Sequence, residues 1–186
     1  MNKAVFLDRD GTIIEDVGYL SSPEQIKFIP GSVASIRSLN QAGFKVIVIS
    51  NQSGVARGHF GEDMLQTIDK IVHRGLLHGG AHLDAHYYCP HHPQHGVYPY
   101  KQECDCRKPN TGLIKKAIEK FDIEASSSFM IGDKATDIEL GKRAGVKTVL
   151  VQTGYGKTEV KQAKDPDKVA ADLSEAIKWV LSTLEK

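Results

Sequence analysis

Two aspartates stand one residue apart at the end of an apolar run, in Phe6-Leu7-Asp8-Arg9-Asp10-Gly11-Thr12. Side chains alternate along a strand, so at its carboxyl end Asp8 and Asp10 point the same way, beyond the sheet edge. Carboxylates that close repel unless a cation lies between them or one carries a proton. One can then act as nucleophile and the other as acid, with a hard divalent ion between them. Taken alone, the segment reads equally well as a strand followed by an Asp-Gly turn. Three more polar groups lie downstream: Ser50-Asn51 after FKVIVI, Arg107-Lys108-Pro109, and Gly132-Asp133-Lys134 with Asp137. Each has a bland reading as a turn, a solvated charge pair or a strand exit.

A second set of residues carries softer chemistry. Cys89-Pro90-His91 and Cys104-Asp105-Cys106 flank residues 92–103. Three thiolates and an imidazole make a closed tetrahedral zinc site, the composition of structural rather than catalytic zinc. The Cys-x-His mirror of Cys-x-Cys favours His91 over His92 and His95. Without a metal, the same residues are three buried thiols and a surface histidine. Arg107 and Lys108 follow Cys106 directly, so zinc here would fix the loop that carries the lysine.

The apolar pattern supplies a scaffold that gathers these groups. Residues 4–7, 44–49, 85–88, 128–131 and 146–151 read as short buried strands. Helices are expected from Pro30-Gly31 to about 42 with Gly43 as the stop, over 62–77, 112–121 and 136–144, and over 170–184 at the end. Trp179 is assigned to core packing, and 154–168 to an exposed polar loop. Strands alternating with helices predict an α/β fold, a parallel sheet with helices on both faces. Ligands in such sheets bind beyond the strands' carboxyl ends, where the polar clusters fall.

Length and composition set the outer limits. The 186 residues suit one domain, 1–186, with the zinc loop at about 89–106. Hydrophobic residues make up 40% and charged ones 25%, and 24 Lys+Arg against 23 Asp+Glu leave a formal charge of +1. No basic block marks a nucleic-acid surface. No apolar run approaches the roughly 20 residues that span a bilayer, and the N-terminus lacks signal-peptide features. The chain therefore reads as cytoplasmic. Three cysteines, two of them one residue apart, argue against a disulfide framework. A monomer is the default expectation.

In order and spacing, Asp8-Arg9-Asp10-Gly11-Thr12, Ser50, Lys108 and Asp133 with Asp137 resemble the four motifs of the haloacid dehalogenase-like phosphatases, over about residues 4–152. The resemblance implies a three-layer Rossmann-like α/β/α domain. It makes Asp8 the nucleophile that forms an aspartyl-phosphate, and Asp10 the general acid and then base. Mg²⁺ would sit on Asp8, the Asp10 backbone carbonyl and Asp133, while Ser50 and Lys108 hold the phosphate oxygens. Asp137 is placed behind the metal ligands, with capping of the following helix as its alternative role. A unit charge pair at 4 Å contributes about 4 kcal/mol at an effective dielectric near 20. Losing Lys108 should therefore cost on the order of a thousandfold in rate.

The spacing leaves little room for a lid domain, so a capless enzyme with an open mouth is expected. The zinc-bearing capless branch resembles heptose 1,7-bisphosphate 7-phosphatases and histidinol-phosphate phosphatases. The segment 50–58, Cys89-Pro90-His91-His92-Pro93 and Lys134 after Asp133 tilt toward heptose, with the product feeding lipopolysaccharide or surface-glycan synthesis. By that resemblance Asp16, Val17, Gly18, Tyr19, Ser50, Asn51, Gln52 and Ser53 line the sugar site, and Arg107 and Lys134 assist recognition. Arg57 is a further candidate cation for the second phosphate. Ser50 departs from the commoner threonine but keeps the hydroxyl. Other classes are a polynucleotide 3′-phosphatase, which should show a basic groove with stacking aromatics, and a zinc-built binding module. The near-zero charge and 7% aromatics speak against the first. The second would have no use for Asp8, Asp10, Lys108 and Asp133 together.

Overall fold

The computed structural model describes residues 1–184. Its strands and helices alternate: Ala4–Leu7 (β1), Ser32–Gln41 (α1), Lys45–Asn51 (β2), Glu62–His78 (α2), Ala85–Cys89 (β3), Gly112–Phe121 (α3), Phe129–Gly132 (β4), Ala135–Ala144 (α4), Lys147–Val151 (β5), Gly156–Glu159 (α5), Lys168–Ala170 (β6) and Leu173–Ser182 (α6). All six strands pair in parallel in one sheet of order β3-β2-β1-β4-β5-β6. The order reverses between β1 and β4, which is where an open parallel sheet leaves a crevice. Leu7 sits opposite both Val48 and Ile131, so the exits of β2, β1 and β4 lie side by side.

Alternation along the strands builds the layers. Val5 and Leu7 join Ile36 and Leu39 of α1, Ile68, Val72 and Leu76 of α2, and Ile177 and Val180 of α6 on one face. Ala4 and Phe6 pack with Ile114 and Ala117 of α3 and Leu140 of α4 on the other. Trp179 meets Phe129 edge-on at 5.9 Å, in the core as expected. No further layer is inserted in the long connections 8–31 and 90–111, so the mouth above the strand ends stays uncovered.

Two sequence expectations are corrected. The stretch 154–168 is not wholly loop, since it holds α5 and the first residue of β6. Ala170 closes β6, opposite Val151, instead of starting the last helix. The Asp172 carboxylate accepts the Glu175 N–H at 2.9 Å, and Glu175 accepts the Ala171 N–H at 2.8 Å. The Asp172 N-cap starts α6 at Leu173. Pro30 stands before the first helix, and Gly31 caps it with φ 83°, a conformation that favours glycine.

Candidate active site

The floor of the crevice is built from strand exits, where backbone geometry fixes side chains with little freedom. Asp8 leaves β1 buried, its Oδ1 accepting the Arg9 N–H at 2.8 Å and lying 2.9 Å from Lys108 Nζ. Lys108 Nζ donates to the Ile49 carbonyl at 2.9 Å and meets Asp137 Oδ1 at 2.7 Å. Burial works against the ammonium, but the Asp137 and Asp8 carboxylates outweigh it and keep Lys108 charged. Asn51 clamps the lysine backbone, its Oδ1 accepting the Lys108 N–H at 3.0 Å and its Nδ2 donating to the Lys108 carbonyl at 3.2 Å.

Asp133 leaves β4 fully buried; its Oδ2 accepts the Tyr155 N–H at 2.8 Å, while its Oδ1 has no protein partner. Burial first, and the Asp8 carboxylate second, push its pKa up to about 7. Asp137 is pushed up to about 6 by burial despite Lys108 beside it. Asp8, Asp133 and Asp137 offer oxygens within 4.8 Å of one another. Three buried carboxylates with one lysine among them are short of positive charge. The unpartnered Asp133 oxygen and the all-oxygen donor set fit a hard divalent cation. Backbone also crowds this point: a Cβ on Gly11 or Gly154 would come within 2.3 or 2.2 Å of Asp133 Oδ2. Asp137 has two tasks, because its Oδ2 also accepts the Lys134 N–H at 3.1 Å at the start of α4.

Asp10 turns to a different set of partners. Arg9 grips it with a fork, Nε to Oδ1 at 3.2 Å and Nη2 to Oδ2 at 3.0 Å. Gln52 Nε2 donates to Asp10 Oδ2 at 2.8 Å and to Ser50 Oγ at 2.6 Å. The Asp10 side chain is thus outside the carboxylate cluster, and any part Asp10 plays at the cation falls to its backbone.

Above the floor opens a cavity of about 530 Å³. Asp10, Asp16, Gly18, Tyr19, Asn51, Gln52, Ser53, Arg107, Lys108 and Lys134 line it with Gly54 of the 50–58 segment, and so do Phe60, Thr136 and Tyr155, to which the sequence reading gave no role in the site. Asp8 and Ser50 lie beneath, and the exposed Val17 stays outside the lining. Lys134 Nζ pairs with Asp16 Oδ2 at 3.1 Å and sits 4.9 Å from the Tyr155 ring. Arg57 is not at this wall either. Its Nη2 is 3.2 Å from His92 Nε2, which ties it to the 90–103 loop and removes it as a phosphate ligand in this arrangement.

The sulfur cluster lies in the chain segment that leads into Arg107 and Lys108 of this cavity. Sγ of Cys89 lies 3.5 Å from Cys104 and 3.0 Å from Cys106, Cys104 and Cys106 are 3.1 Å apart, and His91 Nδ1 is 3.3 Å from Cys106. Burial pushes the Cys89 and Cys106 thiols up, Cys106 to about 11. Three free thiols and an imidazole at these separations fit a soft cation in a tetrahedral cage. His92 is committed to Arg57 and to the Gln94 and His95 N–H groups, which leaves His91 in the cluster. Arg107 Nη1 donates to the His91 carbonyl at 3.0 Å, so the cluster and this cavity-lining cation share one loop.

Residues 105–176 match the HAD-hydrolase-like family model. Over 185 residues the chain is 44% identical to the D-glycero-beta-D-manno-heptose-1,7-bisphosphate 7-phosphatase of Pasteurella multocida, covering 98% of this chain and 100% of that protein. The chain belongs to this family of HAD-like phosphatases. The protein of the same name from Escherichia coli K12 is 43% identical over 94% of this chain and 93% of its own length. A crystal structure of the D,D-heptose 1.7-bisphosphate phosphatase from B. bronchiseptica, complexed with magnesium and phosphate, superposes with a TM-score of 0.88 at 33% identity, over 97% of this chain and 99% of that one.

For this HAD-like phosphatase, the residues that sequence reasoning left out share a feature. Phe60, Thr136 and Tyr155 reach the cavity from connections and helix starts, where no periodic pattern points. Gln52 was assigned to the sugar, yet its amide joins Asp10 to Ser50. Arg9 had no role in the reading of the DRDGT motif. An arginine between two strand-exit aspartates was the available signal.

Proposed function

We propose that this phosphatase removes the C7 phosphate from D-glycero-D-manno-heptose 1,7-bisphosphate, giving heptose 1-phosphate for nucleotide-activated heptose. The observation that carries this reading is the end-to-end 44% identity with a protein of that name, together with a floor that unites Asp8, Asp133 and Lys108. An Asp8 oxygen attacks phosphorus as the bond to the C7 oxygen breaks, and the Asp10 carboxyl gives that oxygen its proton. Water then attacks the aspartyl-phosphate, its proton passing to Asp10, and inorganic phosphate leaves with Asp8 restored. Lys108 and the Ser50 hydroxyl neutralise and hold the non-bridging oxygens. Asp8, Asp133 and the Asp10 carbonyl would hold a Mg²⁺ ion, which would supply further neutralisation of negative charge on the phosphate.

Zinc at Cys89, His91, Cys104 and Cys106 is read as structural, stiffening the loop that presents Arg107 and Lys108. Arg107 and Lys134 are assigned to substrate recognition at the cavity wall, with Asp16, Gly18, Tyr19 and residues 50–53. No helix among the described residues is long and apolar enough to cross a membrane. The reading is of one catalytic domain, a cytoplasmic monomer acting on a small sugar bisphosphate. Release of inorganic phosphate, with Mg²⁺ present, is measured side by side on heptose 1,7-bisphosphate, histidinol phosphate and a 3′-phosphorylated oligonucleotide. Preference for the heptose by at least tenfold in kcat/KM is expected. A preference for either of the others overturns the substrate assignment.

A further inference from the structure

Arg9 heads the bulkiest side chains fully buried among the described residues, with 1% exposure. Burying a guanidinium costs several kcal/mol unless carboxylates meet it in good geometry. Two do. Its Nε and Nη2 fork onto Asp10, at 3.2 and 3.0 Å, and its Nη1 donates to Asp69 Oδ1 at 2.9 Å. Asp69, on α2, is itself 3.2 Å from His86 Nδ1 on β3. Burial, then the nearby Arg9 charge, depresses the His86 pKa to about 3, so the imidazole is neutral. The chain Asp10–Arg9–Asp69–His86 runs from the cavity wall back to the α2–β3 layer. Asp69 and His86 line a separate cleft of about 290 Å³ and do not touch the catalytic cavity.

We propose that Arg9 is a positioning residue for Asp10, and that Asp69 is its anchor. A carboxylate gripped on both oxygens by a planar fork cannot rotate freely about its terminal torsion. Gln52 adds a third donor to the same group. The guanidinium in turn is held from behind by Asp69, so the plane of the Asp10 carboxyl is set by a helix on the far side of the network. A carboxyl that must hand its proton to a departing oxygen gains most from such a fixed plane, because proton transfer depends on reach and alignment. This rests on the reading of Asp10 as general acid.

Leaving-group dependence separates positioning from simple structural support. A sugar alkoxide needs a proton to depart, whereas an activated aryl oxide such as p-nitrophenolate does not. kcat/KM covers events up to alcohol departure and is blind to the later hydrolysis of the aspartyl-phosphate. For Arg9→Lys, kcat/KM on the sugar phosphate should fall on the order of 10²-fold, the lower end of general-acid contributions. On p-nitrophenyl phosphate it should fall less than about fivefold. Asp69→Asn, which touches no substrate, should move in the same direction by about tenfold against less than about twofold. If Arg9→Lys fails to fold, Asp69→Asn carries the test alone. Equal losses on both substrates, or no loss on the sugar phosphate, overturn the proposal. Should the wild-type enzyme ignore heptose bisphosphate yet hydrolyse another sugar phosphate, the substrate reading fails, and the leaving-group comparison is run on that sugar.

Discussion

Two clusters of side chains able to hold a metal ion lie among the described residues, and they are made in opposite ways. The carboxylates of Asp8 and Asp133 stand at the exits of adjacent central strands, buried, with Asp137 on the first turn of α4. The backbone that carries them is held by the sheet whether or not a cation is present. The sulfur cluster takes one ligand from a strand, Cys89, and three from the 90–111 connection, where little regular structure supports them. Charge differs as well as scaffold. The oxygen cluster already has Lys108 as internal countercharge, whereas burial pushes the Cys89 and Cys106 thiols up and no cationic side chain among the described residues is paired with them. The first cluster is thus expected to govern chemistry with little effect on folding, and the second to govern the local fold that serves the chemistry.

Asp8→Asn should break the comparison most sharply. Removing a nucleophile lowers kcat on the order of 10⁵-fold, by the scale of such deletions in other hydrolases, while the melting temperature holds or rises as a buried charge is lost. A large drop in melting temperature would contradict the division of labour. Lys108→Met comes next, because this lysine belongs to both regions: it sits on the 90–111 connection and pairs with the carboxylates. A rate loss of about 10³-fold is expected, together with about 3–5 kcal/mol of stability for a broken buried pair, read by denaturant titration.

Removing the soft cation with a chelator, or Cys104→Ser, should lower turnover about 10- to 100-fold, on the scale by which a misplaced loop costs rate. Proteolysis should then cut within 90–111 while the sheet stays folded. Turnover that is unchanged in a protein shown by elemental analysis to lack zinc would remove the clip from the account. Gly154→Ala is a finer probe of the oxygen cluster. Its Cβ would meet Asp133 Oδ2 at 2.2 Å, and φ is +52°, so Mg²⁺ activation should weaken by about tenfold with the sugar KM unchanged.

The smallest effect concerns pH. Burial raises the Asp69 pKa from the ordinary 3.8 to about 6, with Arg9 pulling the other way. A carboxyl raised in the folded state contributes stability below its unfolded pKa and loses it as pH rises through about 6. The melting temperature of Asp69→Asn should therefore vary less between pH 4 and 6 than that of the parent. Parallel curves would show that Asp69 titrates normally.

The sheet and the strand-exit residues were legible because β-branched apolar runs of four to seven residues admit few other structures, and a polar residue directly after such a run is placed by the strand itself. Asp8, Ser50 and Asp133 are of this kind. The sulfur cluster was legible through thiol spacing, and the choice of His91 over His92 agrees with where His92 is engaged. What stayed hidden depends on rotamers and on loops. Asp16 lines the cavity but is also paired with Lys134, Arg57 looked like a phosphate ligand but faces His92, and Asn51 clamps the Lys108 backbone. Asp137 carried two readings, and the helix-capping one holds together with a contact to Lys108 that sequence spacing cannot reveal.

The central claim is that phosphorus is transiently bonded to the side chain at position 8. Acid-quenching the enzyme within milliseconds of mixing with heptose bisphosphate and Mg²⁺, then reducing with borohydride and mapping peptides by mass spectrometry, tests it directly. Conversion of Asp8 to homoserine, in proportion to substrate occupancy and absent from Asp10, is the predicted result. An enzyme that turns over at full rate while every quenched sample leaves Asp8 unmodified would contradict it.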